Sequence, residues 1–228
     1  FTGNDFINMG RVGIVTHDYI TATITGNTFV KTLDDFGYAV EIGSMSVGSV
    51  TGNTISGYDT PAASDGSESA GIYVQNAFTG TLFGSIPSMT KNVTVSGNEI
   101  YDCQYAMWIG NGYSGYAGDV DIVVDVTGNN FHNNVEGAVI LQDEDAEDGS
   151  SVTAAFQGNT ITDNNSYGYL IFTQGDGDIT ATFDDETISG HEIGIVVEDY
   201  AAGASTSSYS VQARDCNFAG NNVYGIDN

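Results

Sequence analysis

Two groups of side chains in this sequence have the types and spacing for chemistry. Tyr73 and Gln75 lie in Gly71-Ile72-Tyr73-Val74-Gln75, Trp108 lies in Ala106-Met107-Trp108-Ile109, and Gln142 follows the similar phrase Ala138-Val139-Ile140-Leu141. Aromatic rings stack on the apolar faces of sugars, and neighbouring amides hydrogen-bond hydroxyls, so this set could form a glycan-binding surface. The second group is acidic. Asp143, Glu144 and Asp145 open the run Gln142 to Ser150, and Asp176, Asp178 and Asp199 follow. Hard carboxylate oxygens on loops suit Ca2+. Neither an EF-hand nor a nonapeptide calcium repeat is present, so a solvated acidic edge is the competing reading.

Both groups acquire positions only through a repeat. A Gly-Asn-x-apolar phrase recurs along the chain, and its apolar residue falls at Phe6, Phe29, Ile55, Ile100, Phe131, Ile161, Ile188 and Phe218. A second short strand follows each marker, as in Ala39-Val40-Glu41-Ile42 or Tyr169-Leu170-Ile171-Phe172, and a third with period-two alternation precedes most Gly-Asn signals. Three short strands per unit, without helical stretches between them, predict a parallel β-helix of about eight coils. Each coil would stack on the last about 4.8 Å away.

In this register Val15, Glu41, Tyr73, Trp108, Ile140, Ile171 and Val196 form an outward column, with Gln75, Gln142 and Thr173 in the next. Tyr73 and Trp108 become neighbours on adjacent coils. Asp143 and Asp199 share a register two coils apart, with Gln174 between them. Tyr101, Tyr105, Tyr113 and Tyr116 enlarge the aromatic neighbourhood. Either loops cover this apolar exterior or it binds a ligand.

The Gly of the phrase permits a corner that other residues resist. The asparagines Asn4, Asn27, Asn53, Asn98, Asn129 and Asn159 should stack into a hydrogen-bonded ladder, which drifts away where Glu186 and Cys216 replace them. Unequal spacing places insertions at 56–70, 75–91, 110–119 and 142–150, all expected to leave the coil after the second strand and crowd one edge. Phe1-Thr2-Gly3 and Tyr224-Gly225-Ile226 both fall inside repeats, which points to a segment of a longer solenoid whose neighbouring coils or domains are partners.

Charge narrows the classes further. Thirty acidic residues against four basic ones give a net charge of −26, which repels nucleic acid and anionic membranes. No apolar run is long enough for a membrane span. Cys103 and Cys216, in different repeats, do not make a disulfide framework. Catalysis finds little support. Glu41 and Glu198 share a face but lie roughly 20 Å or more apart at the coil spacing. Asp121 and Asp125 read as surface solubility. Asp143, Asp176 and Asp199 are the one carboxylate cluster that could qualify.

The Gly-Asn-x-Ile/Phe turns at 3–6, 26–29, 52–55, 97–100, 128–131 and 158–161 resemble the right-handed parallel β-helix repeats of the pectate-lyase-like superfamily, most closely its NosD-type periplasmic and surface proteins. The resemblance implies an all-β right-handed solenoid. Superfamily members include polysaccharide lyases, hydrolases, epimerases and noncatalytic surface domains. The lyases' basic substrate face is missing, and so are the Asn-Thr-Asp, Asp-Asp, Gly-His-Gly and Arg-Ile-Lys signatures of polygalacturonase-like hydrolases. The expected function is therefore a secreted, extracellular or cell-surface structural or adhesive module that binds glycan and Ca2+. A periplasmic location fits as well, and a polysaccharide-processing enzyme is the alternative.

Overall fold

The computed structural model describes residues 1–61, 67–76, 88–111, 120–143, 150–173, 177–200 and 207–227. Every coil lays down up to three strands, and each strand pairs in parallel with its counterparts one coil before and after. The first sheet runs from Asp5–Ile7 to Thr187–Ser189 in seven three-residue strands. The second has eight: Val12–Thr16, Tyr38–Ile42, Ala70–Gln75, Tyr105–Asn111, Gly137–Asp143, Tyr167–Thr173, Ile193–Asp199 and Tyr224–Asp227. The third has seven, from Thr21–Thr25 to Ser208–Arg214. The last coil adds only Tyr224–Asp227 and a single bridge from Thr187 to Asn217, so the rod falls short of eight full coils.

The core follows from this stacking. The marker residues Phe6, Phe29, Ile55, Ile100, Phe131, Ile161 and Ile188 pair in one continuous column. All but Phe6 are fully buried. Inward residues of the other two sheets, such as Ile72, Met107, Val139, Val124 and Phe156, complete the same core. One coil alone could not bury these side chains, so each depends on its neighbours.

Two corners are set by left-handed residues. At the first, Gly3, Gly26, Gly52, Gly97, Gly128 and Gly158 have φ between 61° and 63°, and the next two coils use Asp185 at 56° and Asp215 at 54°. Aspartate tolerates this region better than most side chains, so the corner survives the loss of glycine. The ladder does not drift away at Glu186. In each preceding pair, the backbone N–H and the amide of one Asn donate to Oδ1 of the next, as Asn98 does to Asn129 at 2.9 Å. Asn159 makes the same two bonds to Glu186 Oε1, both 2.8 Å, and the hydroxyl of the buried Tyr169 donates to Glu186 Oε2 at 2.6 Å. Glu186 thus terminates the ladder as an acceptor.

Burial, only partly offset by the Tyr169 and Asn159 hydrogen bonds, raises the Glu186 pKa above the ordinary carboxyl value. The folded state therefore holds this proton over a pH window in which the unfolded chain has released it. The resulting stabilisation is complete in acid and declines as pH rises through that window. Glutamine preserves both contacts without titrating. A Glu186→Gln variant should lose this declining arm in thermal melts taken between pH 4 and 7; an unchanged pH profile would contradict the assignment.

The second corner carries a ladder that the Gly-Asn phrase did not reveal. Asn133 and Asp163 take φ of 56° and 54°, and Asn134 donates from both its nitrogens to Asn164 Oδ1. The fully buried His191 continues it, with Nδ1 2.8 Å from the Asn164 carbonyl and its backbone N–H donating to Asn221 Oδ1.

The insertions also differ from expectation. The 56–70 excursion separates the strands Thr54–Ser56 and Ala70–Gln75, so it leaves after the first strand of its coil rather than the second. Strands also reach into the other expected insertions: Gln75, Met89 to Lys91, Gly110, Asn111, Gln142 and Asp143 are all in sheet.

Candidate functional site

The outward face of the second sheet gathers most of the aromatic and amide residues singled out above. Its central column is Val15, Glu41, Tyr73, Trp108, Ile140, Leu170 and Val196. Leu170 replaces the expected Ile171, which lies in the core. The next column is Gln75, Gly110, Gln142, Phe172 and Glu198, with Phe172 in place of Thr173. Both errors are one slip. Tyr169 points inward, because Glu186 accepts its hydroxyl, and so the whole strand Tyr167–Thr173 sits one residue earlier than an apolar-only core predicts.

Aromatic rings form a row across the second, third and fourth coils. Phe36 meets Tyr38 edge-on at 5.1 Å between centroids, Tyr38 meets Tyr73 at 4.7 Å, and Tyr73 meets Trp108 at 5.1 Å. Tyr73 and Trp108 are half-buried. Glycine makes room for them: a Cβ on Gly110 would lie 3.1 Å from Trp108 Nε1. The indole N–H is turned toward Gln142 and donates to its Oε1 at 2.8 Å, which fixes the ring. Gln75 donates to Glu41 at 2.6 Å. The four predicted residues thus share one face.

A third outward column alternates large and small: Tyr38, Ala70, Tyr105, Gly137 and Tyr167. Tyr105 and Tyr167 stack with centroids 6.3 Å apart on either side of Gly137. A Cβ there would sit 2.4 Å from the Tyr167 ring. Gly137→Ala should therefore cost about 1–3 kcal/mol by overpacking. In chemical denaturation, adding Tyr167→Ala to that variant should recover part of the loss; strict additivity of the two would count against the clash.

Two carboxylates stand at the rim of this column, a pair that sequence spacing gave no reason to connect. Gln104 Nε2 donates to Glu136 at 2.9 Å and also to Glu68, while its Oε1 accepts the Ser69 amide at 2.8 Å. Tyr105 donates to Glu136 at 2.5 Å. Burial and the neighbouring Glu136 charge raise the Glu68 pKa, and burial pushes Tyr167 up to about 12. A glycosidase places its two carboxyls across a scissile bond. Here the Gln104 amide holds the space between them, and the group clips the end of the 56–70 excursion to two later coils.

Of the six acidic candidates, Asp143, Asp178 and Asp199 fall among the described residues. Asp143 is wholly buried and accepts the Asp178 amide at 3.0 Å. Its neighbour in register is Thr173, not Gln174, and Asp199 lies exposed one coil further. Glu144, Asp145 and Asp176 lie outside the described residues, as do Tyr113 and Tyr116, while Tyr101 stacks on His132 away from this face. Among the described residues no group of three His, Cys, Asp or Glu is placed to hold a metal ion. Nor is any helix there long and apolar enough to cross a membrane.

The three parallel sheets, advancing one coil at a time, are the arrangement of a β-helix, and residues 1–180 match the family described as right handed beta helix region. The chain belongs to that family. No curated protein and no solved structure matches it. Membership in the right-handed β-helix family accounts for the three sheets and for a coil whose outward columns can be rewritten without disturbing the core. It assigns no ligand.

The four basic residues of this β-helix are all engaged. Lys31 is buried with Nζ donating to the Gly10 and Phe36 carbonyls, paired with Asp35 at 2.7 Å. Lys91 is buried as well, Arg11 lies over the Phe36 ring at 4.9 Å, and Arg214 pairs with Asp184 at 2.6 Å. Arg11 is the basic group beside the aromatic row, at its Phe36 end.

Proposed function

We propose that the chain is a noncatalytic structural or adhesive module, secreted or held at a cell surface, that binds a glycan on the outer face of its second sheet. The aromatic row Tyr38, Tyr73 and Trp108, oriented by the Trp108–Gln142 hydrogen bond, carries the proposal. The half-buried rings of Tyr73 and Trp108 can stack on sugar faces, with the buried Tyr38 backing the row. Charge supports a ligand that is not a polyanion, since Lys31, Lys91 and Arg214 are held by carbonyls or carboxylates and the chain is strongly negative.

Isothermal titration of the protein with a panel of soluble neutral oligosaccharides tests this. Trp108→Ala should weaken binding on the order of 30-fold, the loss typical of a central aromatic anchor. Binding that survives Trp108→Ala, or no binding across the panel, would reject the glycan face. Release of shortened sugars would overturn the noncatalytic reading. The titration is run with Ca2+ and with a chelator, because Asp199 and the acidic stretch 144–149 follow strands of the same sheet. Loss of binding with chelator would bring calcium into the site.

A further inference from the structure

We propose that the glycan face includes an ammonium subsite formed by Glu41, Gln75 and Tyr73, so that its ligand is an amino-sugar polymer carrying free amines. The inference rests on the glycan reading and narrows it to one chemical class. Glu41 and Tyr73 are direct neighbours on adjacent strands, and Gln75 lies two residues beyond Tyr73 on the same outward face. Gln75 is only 7% exposed. Its amide nitrogen is used by Glu41 at 2.6 Å, while its Oε1 is buried with no donor. A buried acceptor without a donor is a defect that a ligand N–H would repair.

The subsite therefore offers a carboxylate, an unfilled amide oxygen and an aromatic face within a few side chains of one another. An ammonium group complements all three, through charge-assisted hydrogen bonds and a cation–π contact. A hydroxyl satisfies only the amide oxygen, and a carboxylate ligand is repelled. Two basic side chains among the described residues lie nearby: His17 Nε2 stands 3.9 Å from Glu41 Oε1, and the buried Lys91, which interacts with the Glu41 charge, donates to the Gln75, Ile42 and Ser44 carbonyls. The neighbouring row of rings favours a sugar chain over a lysine-rich peptide, since it extends the contact by ring stacking rather than by charge alone.

The test compares oligomers of glucosamine, N-acetylglucosamine and galacturonate of equal length by titration calorimetry, at a pH where the free amines are protonated. Glucosamine oligomers should bind about tenfold more tightly than their acetylated counterparts. Glu41→Gln should reduce this preference to about threefold, and raising the salt should reduce it in the wild type, a readout that needs no variant. Equal affinity for amine and acetamide oligomers, with Trp108→Ala still weakening both, would overturn the ammonium subsite and leave the glycan face standing. No binding of any oligomer would overturn both. Polylysine displacing the oligomer at lower charge concentration would show that the site reads ammonium on a polypeptide, which also rejects the amino-sugar assignment.

Discussion

Replacing Lys91 by methionine should lower the free energy of unfolding by about 3 kcal/mol, although the side chain touches no ligand. Lys91 is fully buried, and its ammonium donates to three backbone carbonyls: Ile42 at 2.5 Å, Gln75 at 2.7 Å and Ser44 at 3.1 Å. Ile42 and Ser44 belong to the preceding coil and Gln75 to the coil of Lys91 itself, at the points where the chain leaves the second sheet. Methionine fills the volume but donates nothing, and each orphaned acceptor costs about 1 kcal/mol or more. Relief of the buried charge offsets only part of this. Burial holds the Lys91 pKa well below that of a free lysine, with Glu41 opposing the shift. The unfolded chain therefore binds this proton more readily, and wild-type stability should gain as pH rises toward the ordinary lysine range. Urea denaturation at neutral and alkaline pH checks both parts. The variant should be weaker at neutral pH and should lack the alkaline gain; equal stability of the two at neutral pH would mean that the carbonyls find other donors.

Lys91 also shows where sequence reading stops. The Gly-Asn phrase was legible because the same backbone need recurs in every coil: a left-handed corner, then an amide that serves two neighbours. The outward placement of Tyr73, Trp108, Gln75 and Gln142 followed directly from strand parity. The slip at Tyr169 has a physical cause, since Tyr169-Leu170-Ile171-Phe172 has no alternation and parity cannot be read from an unbroken apolar run. Its true register depends on Glu186, a residue that looked like decay of the ladder. The second ladder was hidden for a different reason. Asn133 and Asp163 occupy its left-handed corner where glycine would have marked it, although Asn133-Asn134 and Asp163-Asn164 carry the signal in weaker form. The Glu68–Gln104–Glu136 clip joins residues more than thirty positions apart, and nothing local in the sequence announces it.

The heaviest loss is expected from Asn129→Ala, in the middle of the first ladder. Asn129 Oδ1 accepts the Asn98 backbone N–H and the Asn98 amide, both at 2.9 Å. Its Nδ2 donates to the Val95 carbonyl at 3.0 Å and to Asn159 Oδ1 at 2.9 Å. Alanine removes these four and a longer bond to the Thr127 carbonyl at 3.3 Å, and leaves the buried Asn98 N–H without its acceptor, a change worth about 4 kcal/mol at roughly 1 kcal/mol per short bond lost. Because a solenoid is held together by nearest-neighbour contacts, the damage lies at the junction of coils near the middle of the rod. Denaturant unfolding should then broaden or split as the two halves uncouple, with a smaller apparent m-value than the wild type. Asn129→Asp is the informative companion. It keeps an acceptor for Asn98 but turns a carboxylate oxygen toward Asn159 Oδ1 and the Val95 carbonyl. Glu186 is spared that conflict because Tyr169 donates to its second oxygen. The introduced aspartate should be held protonated by its surroundings, so the variant should regain stability as the pH falls, whereas Asn129→Ala should not. A loss in Asn129→Ala below about 1 kcal/mol would show that the ladder decorates the coil rather than fastening it.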